Sequence, residues 1–148
     1  MFKHILIAID GSELAQKAET VGLTLAAALN ARVTAVTATK PWDALSISAL
    51  AERGLPNPVA DYDEVAAASA NRILWGVTET AKKIGVVCTT LHAKDKYPAE
   101  AILETAKKRG CDLIVMASHG RAGIAAVVLG SVTTKVLTHT KIPVLVCH

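Results

Sequence analysis

Two patterns of hydrophobic residues alternate along the chain. Short continuous apolar runs are typical of strands covered on both faces, and longer stretches carry apolar residues at helical spacing. The runs predict five strands, and the spaced stretches predict a helix after each of the first four. The predicted strands span residues 4–9, 32–38, 86–91, 113–117 and 143–147, the last running from Pro143 to Cys147.

Capping residues mark the ends of several predicted helices. Ser12 is placed to cap a first helix that ends at Asn30, and Gly85 is placed to close a helix covering residues 64–84. Further helices are predicted over residues 98–109 and 131–138. Between residues 40 and 62 the helical pattern is lost among prolines and a glycine, which predicts a long irregular excursion.

Alternating strands and helices predict an α/β fold: one doubly wound, five-stranded parallel sheet with helices on both faces. The first and fourth strands are the most apolar, so we place them centrally, in the strand order 3-2-1-4-5. Ligands bind at the carboxyl ends of the strands where the winding reverses. Residues 9–12 and 117–120 are therefore predicted to converge on one crevice. At 148 residues, the chain is expected to form a single domain, residues 1–148.

Charge and composition exclude several classes of function. The net charge is +3 and the basic residues are scattered, so no nucleic-acid-binding face is predicted. The apolar run at the N-terminus is too short for a signal peptide or a membrane span, and a cytosolic protein is expected. The three cysteines form no CxxC pair and lie in or beside apolar runs, which favours buried thiols in a reducing compartment.

The predicted crevice carries chemistry suited to a phosphate. Residues 130–133 open a helix, where free amides and the helix dipole attract anions, and Ser131 and Thr133 add hydroxyls. Arg121 is a candidate counter-charge, and Asp10 is a candidate partner for a ribose hydroxyl or a divalent ion. Each residue also has a simpler interpretation, in which Ser131 and Asp10 only cap helices and His119 is solvated. Their convergence favours phosphate binding, although no P-loop or GxGxxG motif is present.

The glycine pattern resembles that of the universal stress protein family, whose motif is G-x2-G-x9-G-[ST]. The matching stretch here is Ala117-Ser118-His119-Gly120, nine residues, and then Gly130-Ser131. The opening HILIAIDGSE, the segment PAEAILETAKKRGCDLIVMASHGR and the ending GSVTTKVL with IPVLVCH are also similar to this family. The resemblance covers the chain from end to end, apart from the segment around residues 41–62.

This resemblance implies a Rossmann-like fold of the adenine nucleotide alpha hydrolase type. It also implies a cytosolic stress-response regulator that binds ATP, either alone or together with Mg²⁺. It implies a homodimer formed through the C-terminal edge strand. It also implies at most slow ATP hydrolysis or autophosphorylation, with His119 as the one nearby candidate base. The nucleotide-binding residues that it implies are Ala8, Ile9, Asp10, Ala38, Met116, Ala117, His119, Gly120, Arg121, Gly130, Ser131, Val132 and Thr133.

Two departures from the family pattern keep other hypotheses open. Ala117 replaces the first motif glycine, which is harmless only where the backbone is extended. Lys96 stands where relatives often have glycine, and we expect it close to the crevice. The alternative hypothesis is an interaction protein with a vestigial pocket that acts through its dimer surface. A third is a redox sensor that uses Cys147, although no basic neighbour is predicted to lower the pKa of that thiol.

Overall fold

A computed structural model describes residues 1–120 and 128–148 of the chain. Strands and helices alternate, with two helices between the second and third strands. The strands are β1 (His4–Ala8), β2 (Arg32–Ala38), β3 (Cys88–Ala93), β4 (Leu113–Ala117) and β5 (Val144–Cys147). The helices are α1 (Glu13–Leu29), α2 (Ala44–Glu52), α3 (Pro58–Lys83), α4 (Pro98–Arg109) and α5 (Ser131–His139).

The five strands form one parallel sheet in the order β3-β2-β1-β4-β5, which confirms the predicted fold and strand order. β1 lies at the centre, with Ile5 opposite Val33 of β2 on one side and Leu113 of β4 on the other. Because β1 pairs with β2 and β4, the winding reverses between β1 and β4. The carboxyl ends of these two strands are therefore adjacent.

Side chains of β1 alternate between two hydrophobic layers, since successive residues of a strand point to opposite faces of the sheet. Ile5 and Ile7 pack in the layer that contains Leu23 of α1 and Val77 of α3. Leu6 packs in the opposite layer, with apolar residues of α4 and α5. Both faces of the sheet are covered by helices, as predicted.

The approach of α1 to the sheet depends on Gly22. A Cβ atom at this position would lie 2.7 Å from Cδ1 of Ile7, a side chain that is fully buried. Such a distance is well inside van der Waals contact, so only glycine allows the helix backbone to pack this closely against β1.

The sequence prediction was wrong about the segment between residues 40 and 62. This segment contains α2, whose N-cap Asp43 accepts a hydrogen bond from the Ser46 amide at 2.8 Å. It also contains the start of α3, which begins at Pro58. Proline in the first turn of a helix sacrifices no hydrogen bond, so Pro58 begins α3 instead of interrupting it.

The start of β3 also differs from the prediction. Gly85 has φ of +73°, and the Val86 amide donates to the carbonyl of Ala81 at 2.9 Å, which closes α3 in a Schellman arrangement. Gly85 therefore acts as predicted, but Val86 belongs to the helix cap. For this reason β3 begins at Cys88.

Candidate functional site

A cavity of about 1000 Å³ lies at the carboxyl ends of the central strands. This volume is at the upper end of the range of roughly 300–1,000 Å³ typical of small-molecule sites. Twelve of the thirteen predicted site residues line it; Arg121 lies outside the described residues. The twelve are Ala8, Ile9, Asp10, Ala38, Met116, Ala117, His119, Gly120, Gly130, Ser131, Val132 and Thr133.

One wall of the cavity is the turn that follows β1. The Asp10 carboxylate accepts a hydrogen bond from the Ser12 amide at 2.9 Å through Oδ1. Ser12 caps α1, since its hydroxyl oxygen accepts from the Ala15 amide at 3.2 Å. Gly11, between them, has φ of +80°, a conformation that other residues rarely adopt. The turn therefore holds the carboxylate at the cavity wall.

The turns after β1 and β4 meet directly. A Cβ atom on Gly120 would lie 3.0 Å from Oδ2 of Asp10, so the backbone at residue 120 passes close against the carboxylate. This contact agrees with the convergence predicted from the strand order. It also gives Gly120 a steric role, because any larger residue would displace Asp10 or the turn.

Residues 130 and 133 anchor α5 to the end of β4. The Gly130 amide donates to the Ser118 carbonyl at 2.8 Å. The Thr133 hydroxyl lies 3.0 Å from the Ala117 carbonyl and 3.1 Å from that of Ser118, and this side chain is 1% exposed. The sequence suggested that the Thr133 hydroxyl would serve a phosphate. In the structure this group is a structural donor to β4.

The N-terminus of α5 opens into the cavity without a side-chain cap. Its N-cap is Gly130, and Ser131 is the first helical residue, so Ser131 does not have the capping role of its simpler interpretation. A Cβ atom on Gly130 would lie 3.1 Å from the Ser118 carbonyl oxygen, which explains the glycine by close approach. The first-turn amides of α5 and the positive end of its dipole therefore face the cavity and suit an anion.

Comparisons with known proteins identify the family. The family model "Universal stress protein family" matches residues 1–148. The chain belongs to the universal stress protein family. Universal stress protein YxiE of Bacillus subtilis (strain 168) is 32% identical over 148 residues, covering 99% of each chain.

Solved structures of the same family are also similar to this chain. A universal stress protein family member from Burkholderia pseudomallei has a TM-score of 0.73 and 26% identity, with 98% of this chain and 95% of that one covered. A universal stress protein solved in complex with cAMP has a TM-score of 0.71 and 25% identity, covering 99% of this chain and 97% of the other.

Ala117, at the first glycine position of the family motif, is accommodated without strain. It is the last residue of β4 and pairs with Cys147 of β5. The backbone there is that of an extended strand, which alanine adopts as readily as glycine does. Ala117 lines the cavity and is 8% exposed.

Lys96 does not line this cavity, in contrast to what its sequence position suggested. Its ammonium group bonds to the Glu104 carboxylate, which also accepts from Lys108 at 3.2 Å. These two hydrogen bonds, that of Lys96 first, hold the pKa of Glu104 below its usual value. Lys96 lines a separate depression of about 310 Å³ beside α4. The lysine is therefore neither a block nor a phosphate contact in the strand-end cavity.

Sequence analysis assigned no site residue to one whole wall of the cavity, which is formed by α2 with its C-cap Arg53 and by α3 as far as Ile73. The Asp43 cap was the signal that could have revealed α2, and Pro58 was the signal for the earlier start of α3, which was predicted only over residues 64–84. The Tyr62 hydroxyl donates to the Lys40 carbonyl at 2.9 Å and so connects α3 to the segment that follows β2. The wall residues are Ser46, Ala49, Leu50, Arg53, Tyr62, Val65, Ala66, Ser69, Ala70 and Ile73.

The cysteines do not have the surroundings of reactive thiols. All three are free, and burial raises the pKa of each thiol, that of Cys111 to about 11. Cys147 and Cys111 are buried, and Cys88 is partly buried. A redox sensor needs a lowered thiol pKa, so the environment of Cys147 disfavours that hypothesis.

Two other kinds of site are absent from residues 1–120 and 128–148. These residues contain no group of three or more histidine, cysteine or acidic side chains arranged to hold a metal ion. Within the same ranges, no helix combines the length and the hydropathy needed to cross a bilayer.

Proposed function

We propose that this universal stress protein binds an adenine nucleotide in the strand-end cavity and acts as a nucleotide-dependent regulator of a stress response in the cytoplasm. The proposed nucleotide is ATP, and residues 1–148 act as one domain. The observation that carries the proposal is the uncapped N-terminus of α5, which faces Asp10 and Gly120 across one cavity. The relative solved in complex with cAMP supports the same ligand class.

Each part of the nucleotide has a suitable counterpart in the cavity wall. The first-turn amides of Ser131 and Val132 suit the phosphates, since a helix N-terminus favours negative charge. The Asp10 carboxylate suits a ribose hydroxyl, because carboxylate oxygens are strong acceptors. Ala38, at the end of β2, presents small apolar surface and backbone to the base.

A magnesium ion bound with ATP would rely mainly on the phosphates. Of the described residues that line the cavity, Asp10 alone carries a carboxylate. Mg²⁺ commonly takes one or two carboxylates together with phosphate oxygens and water. Asp10 could therefore supply a protein ligand, directly or through water.

Chemical turnover of the nucleotide is proposed to be slow at most. His119 is the candidate base, and its Nδ1 lies 3.0 Å from the Ser118 hydroxyl oxygen, which orients the ring. Efficient hydrolysis needs a positioned base and donors aimed at the developing charge of the transition state. The described cavity wall offers one imidazole and the α5 amides, which suits binding better than catalysis.

The decisive experiment is a calorimetric titration with Mg-ATP after removal of any co-purified nucleotide. Ser131→Glu is the test variant, because Ser131 is exposed and an acidic residue in the first helical turn is compatible with the helix dipole. Its carboxylate would repel phosphate from the same amides. Thr134→Glu, which is exposed on α5 but does not line the cavity, is the matched control.

We expect micromolar binding by the wild type and the control, and at least a tenfold loss in Ser131→Glu. Equal affinities for the two variants would place ATP elsewhere. Absence of binding by the wild type, with no nucleotide released on denaturation, would favour the alternative function: an interaction protein with a vestigial pocket.

We also propose a homodimer formed through β5. This strand is an outer edge of the sheet, paired with β4 on one side, and its segment VLVC carries no charge. An apolar edge is stabilised by pairing with a second copy across a two-fold axis. Analytical ultracentrifugation at micromolar concentration tests this proposal: a sedimenting dimer supports it, and a monomer refutes it.

A further inference from the structure

The cavity has a second half, whose lining residues differ in chemical character from those at the strand ends. We call it the α2–α3 compartment, lined by Ala49 and Leu50 of α2, by its C-cap Arg53, and by Val65, Ala66 and Ser69 of α3. On each helix these residues recur at spacings of three and four, so each helix turns one continuous face to the cavity. The α5 amides and Asp10, which suit a nucleotide, belong to the other half.

This compartment is a cleft open to solvent and not a packed interior, since Ala49 and Val65 are exposed while Leu50 is buried. Protein cores are close-packed, with few voids larger than a water molecule. Here the facing helices present small side chains, such as Ala49, Ala66 and Ser69, and leave part of an approximately 1000 Å³ cavity between them and the sheet. Larger residues at these positions would fill the space, so the helix pair keeps it open with an aliphatic lining.

The charged side chains in the lining indicate which kind of ligand would fit the compartment. Lys40 and Arg53 line the cavity, and neither forms a salt bridge within the described part of the chain. The Asp10 carboxylate, the acid of the described lining, lies at the strand ends beside Gly120. The Tyr62 hydroxyl already donates to the Lys40 carbonyl. Lys40 lies near the Asp43 carboxylate, so Arg53 is the cation that this compartment offers to a ligand. An aliphatic lining with one guanidinium group suits an anion with an apolar body.

We propose that the α2–α3 compartment binds a second ligand, an apolar carboxylate of the fatty-acid type. The aliphatic chain contacts Leu50, Val65 and Ala66, and the carboxylate pairs with Arg53. A guanidinium group matches a carboxylate through two parallel hydrogen bonds, which favours Arg53 over a point charge as the selective contact. The inference goes beyond nucleotide binding and uses different residues.

Calorimetric titration of the whole chain with decanoate tests this proposal, with and without saturating AMP. Arg53→Gln removes the cation from an exposed position, and Ala66→Trp fills the compartment. Arg72→Gln is the matched control, because Arg72 is exposed on α3 but lies outside the cavity lining. Thermal unfolding of every variant verifies that each one is folded. AMP is titrated into the same set of proteins.

We expect wild type and Arg72→Gln to bind decanoate with dissociation constants below about 1 mM. Arg53→Gln should bind about tenfold or more weakly, since hydrogen bonds to charged groups are among the stronger ones. Ala66→Trp should lose decanoate while it keeps AMP. AMP should leave decanoate bound, because the two ligands occupy different halves.

Three results would overturn the inference: no binding of decanoate to the wild type, equal weakening by Arg53→Gln and Arg72→Gln, or displacement of decanoate by AMP. Failure of the wild type to bind both AMP and Mg-ATP would instead refute nucleotide binding. The Arg53 and Ala66 variants would then still decide the question of the carboxylate.

Discussion

The Thr133 hydroxyl should hold α5 in position, and Thr133→Val removes this hydroxyl with little change in the shape of the side chain. Valine has nearly the size of threonine but cannot donate to the carbonyls of Ala117 and Ser118, which lie 3.0 and 3.1 Å from the hydroxyl oxygen. Ser118 keeps the hydrogen bond from the Gly130 amide at 2.8 Å. The loss therefore falls mainly on the Ala117 carbonyl, at the carboxyl end of β4.

The expected loss in the free energy of unfolding follows from the burial of Thr133. Thr133 is 1% exposed, so water cannot replace the lost donor without rearrangement. Leaving a buried acceptor unpaired costs about 1–3 kcal/mol. For a domain of this size, each kcal/mol lowers the melting temperature by about 2–4 °C. Because the same contact holds α5 at β4, ATP affinity should fall together with stability.

Thr138→Val is the matched control on the same helix. Thr138 is exposed, and its hydroxyl donates within α5 to the Thr134 carbonyl at 3.0 Å. Water can satisfy that carbonyl, so the expected change in the free energy of unfolding is within about 0.5 kcal/mol. Urea unfolding of both variants, followed by circular dichroism, measures the difference. Equal changes in the two proteins would refute the anchoring role of Thr133.

Three further perturbations test other parts of the account. Gly22→Ala should lower the free energy of unfolding by about 1–3 kcal/mol, because the new methyl group clashes with the buried sheet. Gly76→Ala, which has open space around it, should raise the free energy of unfolding by up to about 1 kcal/mol. If urea unfolding gave the same change in both variants, the packing argument would be contradicted. Burial, and then the charge of Arg32, lower the pKa of His4 from 6.5. On acidification the unfolded chain therefore takes up the proton first, and stability that is complete above pH 6.5 is lost as the pH falls below it. The free energy of unfolding should change less with pH between about pH 7 and 5.5 in His4→Gln than in the wild type. An unchanged pH dependence would exclude His4 as its source. Gly120→Ala should weaken ATP binding about tenfold by pushing on the Asp10 carboxylate, and calorimetry showing unaltered affinity would remove this contact from the site.

The sheet and the strand-end half of the site could be predicted from local signals. Continuous apolar runs marked the strands, and Ser12 and Gly85 acted as the caps that their positions suggested. The strand order then brought residues 10 and 120 together, because parallel strands end at the same edge of a sheet. This inference required only the order of elements and no knowledge of side-chain contacts.

The other half of the site depended on tertiary context. The helical period that reveals a helix is weak in α2, which has a lining of small residues over a cavity in place of a strong apolar stripe. The Thr133 hydroxyl was assigned to phosphate because sequence does not show that β4 takes it. Lys96 was placed near the crevice, although its partner Glu104 lies on α4. The partner of Lys96 and the role of the Thr133 hydroxyl both depend on side-chain contacts made in the folded chain, which local sequence patterns do not show.

The most direct test of nucleotide binding in this cavity is a titration of ¹⁵N-labelled protein with AMP, followed by amide chemical shifts. The account predicts saturable shifts that are largest at Gly120, Ser131 and Val132, with smaller ones at Ala38. Residues of the separate depression, such as Lys96 and Lys108, should not respond. Shifts concentrated around those lysines, or no saturable shift at the α5 N-terminus, would contradict the assignment of the strand-end cavity as the nucleotide site.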